Sequence, residues 1–443
     1  MKLFQQMLVA GASLSLIAPI AAQASDIVNL EEMSSYSRSS KKSSSRLDSK
    51  TFINEVSEDI AKLKGRVDGL EAQQNNFEAG AFSGTTTMDG KAAFWIGAVD
   101  GGDAIGDTEH VETGYIYQMN LNTSFTGDDN LYVRLKAGDV GGEPTGSPAV
   151  DPSIWDNPSV YHIETKDTDN KLKLDKAWYT FPIGEDITAF VGPRIENYYM
   201  YITPSIYQPG VLKSMKLGGN SNFGASTDVG YGFKYENDAG FGFASNIVSK
   251  GADGSQGHLG KTDDSKWDTQ VAYTTDRWHV SATLSNQQGW SSHGYNATSL
   301  ADDMGEGDGE DATGYAFRTY WKPDESGTAT PEISVGYDIR NLDDAVASGA
   351  AKESDSYFVG LTWRDMFQAD DRIGIAVTQP LKVTECKGTC SNPDVDPFVW
   401  EAYYAFRPND SMEVRPAIFG GTDVYADKED DIFGAVLTTM FKF

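Results

Sequence analysis

The chain has 443 residues, 23% of them charged, and 65 Asp and Glu against 36 Lys and Arg give a formal net charge of -29 at pH 7. That sign argues against a nucleic-acid partner, whose phosphates would be repelled. Two cysteines and five scattered histidines (His110, His162, His258, His279 and His293) supply no clustered ligand set, and no cofactor is expected.

In chain order, residues 1–24 come first. Lys2 sits in a short basic region, an apolar run from Met7 to Ile20 follows, and Ala22-Gln23-Ala24 makes a small-x-small cleavage site. This pattern is a secretory signal peptide, with the mature chain starting near Ser25. The run is shorter than the roughly 20 residues a helical bilayer span needs, and no later stretch is long and apolar enough. Residues 25–50 include SSYSRSSKKSSSRLDSK, serine-rich and basic with little to bury, which reads as a linker.

Residues 51–80 change period. Ile53, Val56, Ile60, Leu63, Val67, Leu70, Gln74 and Phe77 recur in steps of three and four, an a/d seam with charged flanks. The seam predicts a coiled-coil stalk roughly 40 Å long. Val56 and Phe77 at d leave its oligomeric state open, and a single amphipathic helix packed on the body is the alternative.

Residues 81–443 read almost wholly as strand. TGYIYQMNLNTSF places Tyr115, Tyr117, Met119, Leu121, Thr123 and Phe125 on one face, because side chains alternate along a strand. The same alternation recurs in NLYVRLKAG, ITAFVGPR, FGFASNIV, WDTQVAYT, WHVSATLS, GYAFRTYW, EISVGYDIR and the C-terminal DIFGAVLTTMFKF. About sixteen such segments are present, an even number in the range of bacterial membrane barrels. Their connections alternate between short (TGDD, PIGED, ENDAG, TDR, RPND) and long (139–170, 195–227, 287–312, 380–396). Tyr115, Phe125, Trp267, Tyr273, Trp278, Tyr315, Trp321, Trp363, Trp400 and Phe406 lie near strand ends, where interfacial girdles sit. The expected fold is therefore all-β, an antiparallel transmembrane barrel preceded by a stalk; a soluble sandwich is the alternative. Cys386 and Cys390, in TECKGTCSNPD, are expected to form a disulfide in an oxidising envelope compartment, ahead of two free thiols and, last, a metal site.

The signal peptide MKLFQQMLVAGASLSLIAPIAA, the segment KGRVDGLEAQQNNFEAGAFSGTTTMDGKAAFWIGAVD and the strand pair WYTFPIGEDITAFVGP resemble cyanobacterial outer-membrane porins. These are the Som-type or iron-uptake porins grouped with the carbohydrate-selective OprB family. The resemblance implies a sixteen-stranded homotrimer in the outer membrane with a periplasmic coiled-coil stalk. Such proteins usually carry an S-layer-homology domain that docks on the cell wall; residues 25–50 are too short for one, so a wall contact would fall to the basic serine-rich stretch.

A barrel of this size leaves an aqueous channel. The residues alternating with the apolar set are pore-lining candidates: Arg134, Lys136, Lys176, Arg194, Lys234, Arg318, Arg364 and Arg415, beside Asp228, Glu401 and Glu413. On these the wall is net basic, whereas acid concentrates in the long connections, as in LADDMGEGDGED and YADKEDD. Those acids could gather cations at the outer mouth, or bridge divalent ions to lipopolysaccharide. Connection 195–227 is the expected constriction, since in porins of this size the third long loop bends inward. It offers Glu196, Tyr198, Tyr199, Tyr201, Tyr207, Lys213 and Lys216. The tyrosines either stack on solutes or pack the loop on the wall, with the second favoured; the lysines would attract phosphate or organic anions.

No catalytic constellation stands out, His279 beside Ser281 being the nearest approach, so an enzyme is not expected. Passive diffusion of small hydrophilic solutes is the leading function, and a tether between outer membrane and cell wall with a plugged pore is the other. The terminal Phe443, on a strand that would close the barrel against the first, resembles the signal read by the outer-membrane assembly machinery.

Overall fold

The computed structural model describes residues 85–100, 111–140, 161, 163, 166–219, 222–223, 227–250, 264–290, 296, 298, 311–342, 349–390, 396–424 and 431–443. The expected signal peptide, linker and coiled-coil seam, and most of the two acidic stretches, lie outside these residues.

The alternating segments form sixteen long strands: β1 Thr86–Asp100, β2 Glu112–Thr123, β3 Asn130–Val140, β4 Lys173–Ile183, β5 Ile187–Ile195, β6 Asp228–Glu236, β7 Phe241–Ser249, β8 Ser265–Thr274, β9 Trp278–Gln288, β10 Ala312–Trp321, β11 Glu332–Leu342, β12 Ala351–Arg364, β13 Arg372–Cys386, β14 Phe398–Asn409, β15 Met412–Thr422 and β16 Ile432–Lys442. A two-residue strand, Lys166–Asp167, adds to the end of β3. Each strand pairs antiparallel with the next, and β1 pairs with both β2 and β16, so the sheet closes on itself and leaves no free edge.

The closing seam explains the aromatic carboxyl terminus. In its register Phe94 faces Thr439 and Ala92 faces Phe441. The Gly90 amide donates to the Phe443 carbonyl at 2.8 Å and the Phe443 amide donates back to the Gly90 carbonyl at 3.1 Å. The Phe443 ring stacks on Tyr117, 5.8 Å between centroids. A Cβ on residue 90 would lie 2.6 Å from that ring, so glycine is required for the last residue to seat.

Alternation sorts the two faces. On β8, Trp267, Val271 and Tyr273 are exposed while Lys266, Asp268 and Gln270 are buried; on β9, Trp278, Val280 and Leu284 are exposed while His279 and Ser285 are buried. The outward set is apolar and aromatic: Phe241, Tyr273, Trp278 and Trp321 lie near the short-turn end, and Tyr115, Trp267, Tyr315 and Trp400 near the other. An apolar belt around the whole outside would be untenable in water and suits lipid, with the aromatics at the two interfaces.

One connection departs from expectation. β13 continues through Pro380 to Cys386, so the long connection begins at residue 387 and not at 380. Pro380 cannot donate to a ladder, but the register between β12 and β13 shifts around Asp355 and Tyr357, and a bulge there absorbs the missing bond. Cys386 and Cys390 are disulfide-bonded across the turn that follows.

A candidate constriction inside the barrel

The connection from β5 to β6 starts at Glu196, next to its own strands, and does not stay there. A short 3-10 turn, Asn197–Met200, is followed by extended chain and a second 3-10 segment, Lys213–Gly218. β14, which the loop reaches, stands half-way round the ring from β6, where the loop ends. The segment therefore runs across the lumen.

Three anchors fix its path. The first is on β4 and β8. Glu196 pairs with Lys176, whose ammonium also lies over the Tyr199 ring, 5.0 Å from its centroid. Asn197 and the Tyr201 hydroxyl both donate to Asp268, and Ile202 exchanges two hydrogen bonds with Gln270, at 2.9 and 3.2 Å. Such two-sided pairing leaves the backbone of this first leg no slack.

The second anchor is Glu401 on β14, buried completely. Its carboxylate accepts from the Tyr207 hydroxyl (2.8 Å) and from the amides of Gly210 (2.8 Å), Val211 (2.9 Å) and Leu212 (2.8 Å). Four donors converging on one carboxylate make a strong charge-assisted clamp. Beside it, Tyr403 donates to the Gln208 carbonyl at 2.6 Å and Arg415 to the Pro209 carbonyl at 2.8 Å. The Tyr403 ring fills the space that a Cβ at Gly210 on the loop, or at Gly374 on the wall, would need; two glycines are what let loop and wall approach.

The third anchor is Arg318 on β10. It donates to the Leu217 carbonyl (2.8 Å), the Gly219 carbonyl (2.7 Å) and the Asp338 carboxylate (2.7 Å), and covers the Phe223 ring. The clamped backbone is unusual: Leu217 has φ 61°, followed by Gly218 and Gly219 at 74° and 89°. A left-handed leucine costs on the order of 1–3 kcal/mol, and the guanidinium holds that kink in place. Asn222 then bonds Asp338 and the carbonyls of Tyr315 and Ile339.

Electrostatics agree with this geometry. Burial would raise the Glu196 carboxyl, but the Lys176 and Lys216 ammonium groups outweigh it and bring it down to about 2. Burial, then the neighbouring carboxylates Asp268 and Glu401, push the Tyr201 and Tyr207 hydroxyls well above the usual phenol range, so both remain protonated donors. Tyr198 is raised likewise, by burial and then by Glu196.

The structure distributes the expected residues unevenly. Glu401 and Arg318 lie beneath the loop and hold it. Arg134 meets Asp175 at 3.7 Å and the hydroxyls of Tyr132 and Tyr199; Arg194 donates to the Asp175 carbonyl; Lys136 is buried on β3. Lys234 pairs with Glu236 at 2.8 Å, and Arg364 with Glu332 at 2.9 Å. Glu413 gathers Arg372, Arg407 and Lys442. Asp228 opens β6. Of the loop residues, Tyr201 and Tyr207 are packed on the wall, whereas Lys213 and Lys216 are half-buried.

Several participants escaped the sequence reading: Lys266, Asp268, Asp338, Arg340, Arg372 and Tyr403. All sit on the inward parity of recognised strands, so extending the alternation to every polar residue would have found them. Ile163 is different. It bridges to Leu212 and, with Tyr161, joins the buried cluster of Leu212, Met215 and Phe419, so residues 161 and 163, from a second long connection, pack against the loop; nothing in their sequence announces this.

Comparison with known proteins agrees with this architecture. Residues 47–419 match the family described as "Carbohydrate-selective porin, OprB family". An uncharacterised protein of Nostoc sp. is 23% identical over 420 residues, covering 87% of this chain and 70% of the relative. A second uncharacterised protein, of Synechocystis sp., is 26% identical over 197 residues, covering 42% of this chain and 34% of the relative. Pseudomonas putida OprB superposes with a TM-score of 0.55 at 12% identity, over 81% of this chain and 94% of that one, a likeness of fold. The chain therefore belongs to the OprB family of porins, outer-membrane β-barrels that form channels for solutes.

Proposed function

We propose that the protein is a passive channel for small hydrophilic solutes, narrowed by loop 196–227. Inorganic ions, small iron complexes, small anions and sugars are the candidate solutes. The observation that carries the reading is the clamp of Tyr207, Gly210, Val211 and Leu212 on Glu401, which spans the loop across the lumen and leaves any solute to pass beside it. Iron, where carried, would travel as a diffusing complex. The short turns and both termini are assigned to the periplasm and the long connections to the outside. The assembled unit is a homotrimer with residues 51–80 as its stalk, folded by the assembly machinery acting on Phe443. The residue roles assigned above to wall and loop belong to this proposal.

A second reading, a tether between outer membrane and cell wall with a closed pore, draws on the loop across the lumen and on Tyr161 and Ile163 packed against it. Planar-bilayer recordings separate the two. Stepwise openings in multiples of three support the trimeric channel; a folded, inserted barrel that stays silent supports the tether.

A further inference from the structure

FTGDD, Phe125 to Asp129, and FQADD, Phe367 to Asp371, are the two stretches of the chain with the form Phe-x-(Gly or Ala)-Asp-Asp. Both are short turns at the same end of the barrel, the first between β2 and β3 and the second between β12 and β13. They fold alike. The last Asp of each is buried and locks its turn. Asp129 accepts from the Ser124 hydroxyl and from the amides of Phe125 and Thr126, all at 2.8 Å. Asp371 accepts from the amides of Met366, Phe367 and Gln368 at 2.8, 2.9 and 3.1 Å. A tyrosine of the next strand completes each lock: Tyr179 on β4 donates to Asp129 at 2.5 Å and Tyr404 on β14 to Asp371 at 3.1 Å. Two residues further on, Phe181 stacks on Tyr179 and Phe406 on Tyr404, each pair 5.5 Å between centroids.

The ring that opens each motif is left outside. Phe125 is 65% and Phe367 75% exposed, the two highest values for large apolar side chains among the described residues. Their centroids lie 6.4 Å from Tyr179 and 5.7 Å from Tyr404, so each ring begins a row of three aromatics that runs onto the outward face of its strand. Four donors on one carboxylate fix the turn at a cost in conformational freedom, yet the ring they hold out gains no burial. Such a ring needs an apolar neighbour from outside the chain.

We infer that these two turns are lipid anchors, Phe125 and Phe367 entering the boundary between headgroups and acyl chains, with Asp129 and Asp371 as positioning residues. Continuity of both aromatic rows with the lipid-facing belt selects lipid as the occupant. The exposed Asp128 and Asp370 at the tips stop the turns from sinking deeper, because a carboxylate stays in water. Round the closed ring of sixteen strands the turns stand ten strands apart one way and six the other, so together they set the depth and tilt of this rim. The inference does not depend on what passes through the pore.

The test uses the full-length protein reconstituted in phosphatidylcholine vesicles. Phe125→Cys and Phe367→Cys are spin-labelled one at a time, the native cysteines being bonded to each other. Collisions of the label with oxygen, which concentrates in lipid, are compared with those of a water-soluble nickel chelate. Val271→Cys on the belt and Asp238→Cys on the turn from β6 to β7, both exposed, calibrate lipid and water. At both turns the oxygen-to-nickel ratio is expected to be several-fold above that at 238 and close to that at 271. Adding Asp129→Ala to the first, or Asp371→Ala to the second, should move the ratio towards the value at 238 while the barrel stays heat-modifiable. Where an alanine variant does not fold, Tyr179→Phe or Tyr404→Phe, which removes one bond of the lock and keeps the ring, should move it in the same direction. A label as open to nickel as the one at 238 overturns the anchor at that turn. So does a label that neither reagent reaches, because a protein surface then covers the ring. Ratios unmoved in folded lock variants overturn the positioning role of the carboxylates.

Discussion

Replacing Glu401 by alanine should unlatch the loop. The carboxylate accepts four hydrogen bonds from loop residues 207–212. A hydrogen bond to a charged group contributes about 1.5–3 kcal/mol, and simple addition would give on the order of 6–12 kcal/mol. Bonds in one network do not add, and lumen water can re-solvate freed amides, so about 3–5 kcal/mol is the expected cost. That is a shift of about a hundredfold or more in the docked population. The other anchors, on Asp268 and Arg318, leave the loop tethered at both ends and the barrel closed. Two measurements report the change. Single-channel conductance should rise and become noisy. A thiol introduced as Met215→Cys, at a position completely buried in the folded loop, should become reactive to a small cationic methanethiosulfonate; the native cysteines are engaged with each other. If Glu401→Ala conducts quietly at the parental level and leaves that thiol protected, the clamp does not hold the constriction and the assignment fails.

Three further outcomes are expected. Lys213→Glu with Lys216→Glu should move the reversal potential in a salt gradient towards cation selectivity; an unchanged potential would show that solutes do not pass beside this loop. Glu196, depressed in the folded state to about 2, contributes stability that is present above the ordinary carboxylate range and is lost as pH falls through that range towards 2. Loop noise in bilayers should therefore stay flat from neutral pH to about 5 and rise below it, and Glu196→Gln should be noisy at every pH; equal noise in parent and variant refutes the pairing. Phe443→Asp should reduce the yield of folded, heat-modifiable barrel in the outer membrane, since it removes the Tyr117 stack, while retention of full yield would deny the terminal residue an assembly role.

The barrel was legible because each strand writes its two faces into the chain. In WDTQVAYT the outward Trp267, Val271 and Tyr273 and the inward Asp268 and Gln270 alternate without error, and all sixteen strands carry some form of this. The site was less legible, for a physical reason: its contacts join residues far apart in sequence. Glu401 can be placed on the inner face by parity, but that its partners are the amides of 210–212 follows only from closure of the ring, which brings β14 opposite β6. A carboxylate bound by backbone amides leaves no mark in the partner's sequence, because every residue has an amide. The same holds for Leu217, whose left-handed backbone only Arg318 and the two following glycines make tolerable. Pro380 misled in the opposite direction, since a local breaker is overruled when a bulge re-registers the strand.

The charge of the lumen shows how a count of residues and a count of fields can part. Taken singly, the wall is rich in arginine and lysine. In the folded barrel most of these face an acid: Arg134 meets Asp175, Lys176 meets Glu196, Lys266 meets Asp268, Arg318 meets Asp338, Arg364 meets Glu332, and Arg372 meets Glu413. Pairs at these separations are close to neutral at the distance of a passing ion, and in a partly dehydrated wall each must be paired to be tolerated. What a solute can feel is the remainder that these pairs leave uncancelled. Substituting the paired wall residues should therefore disturb folding more than permeation.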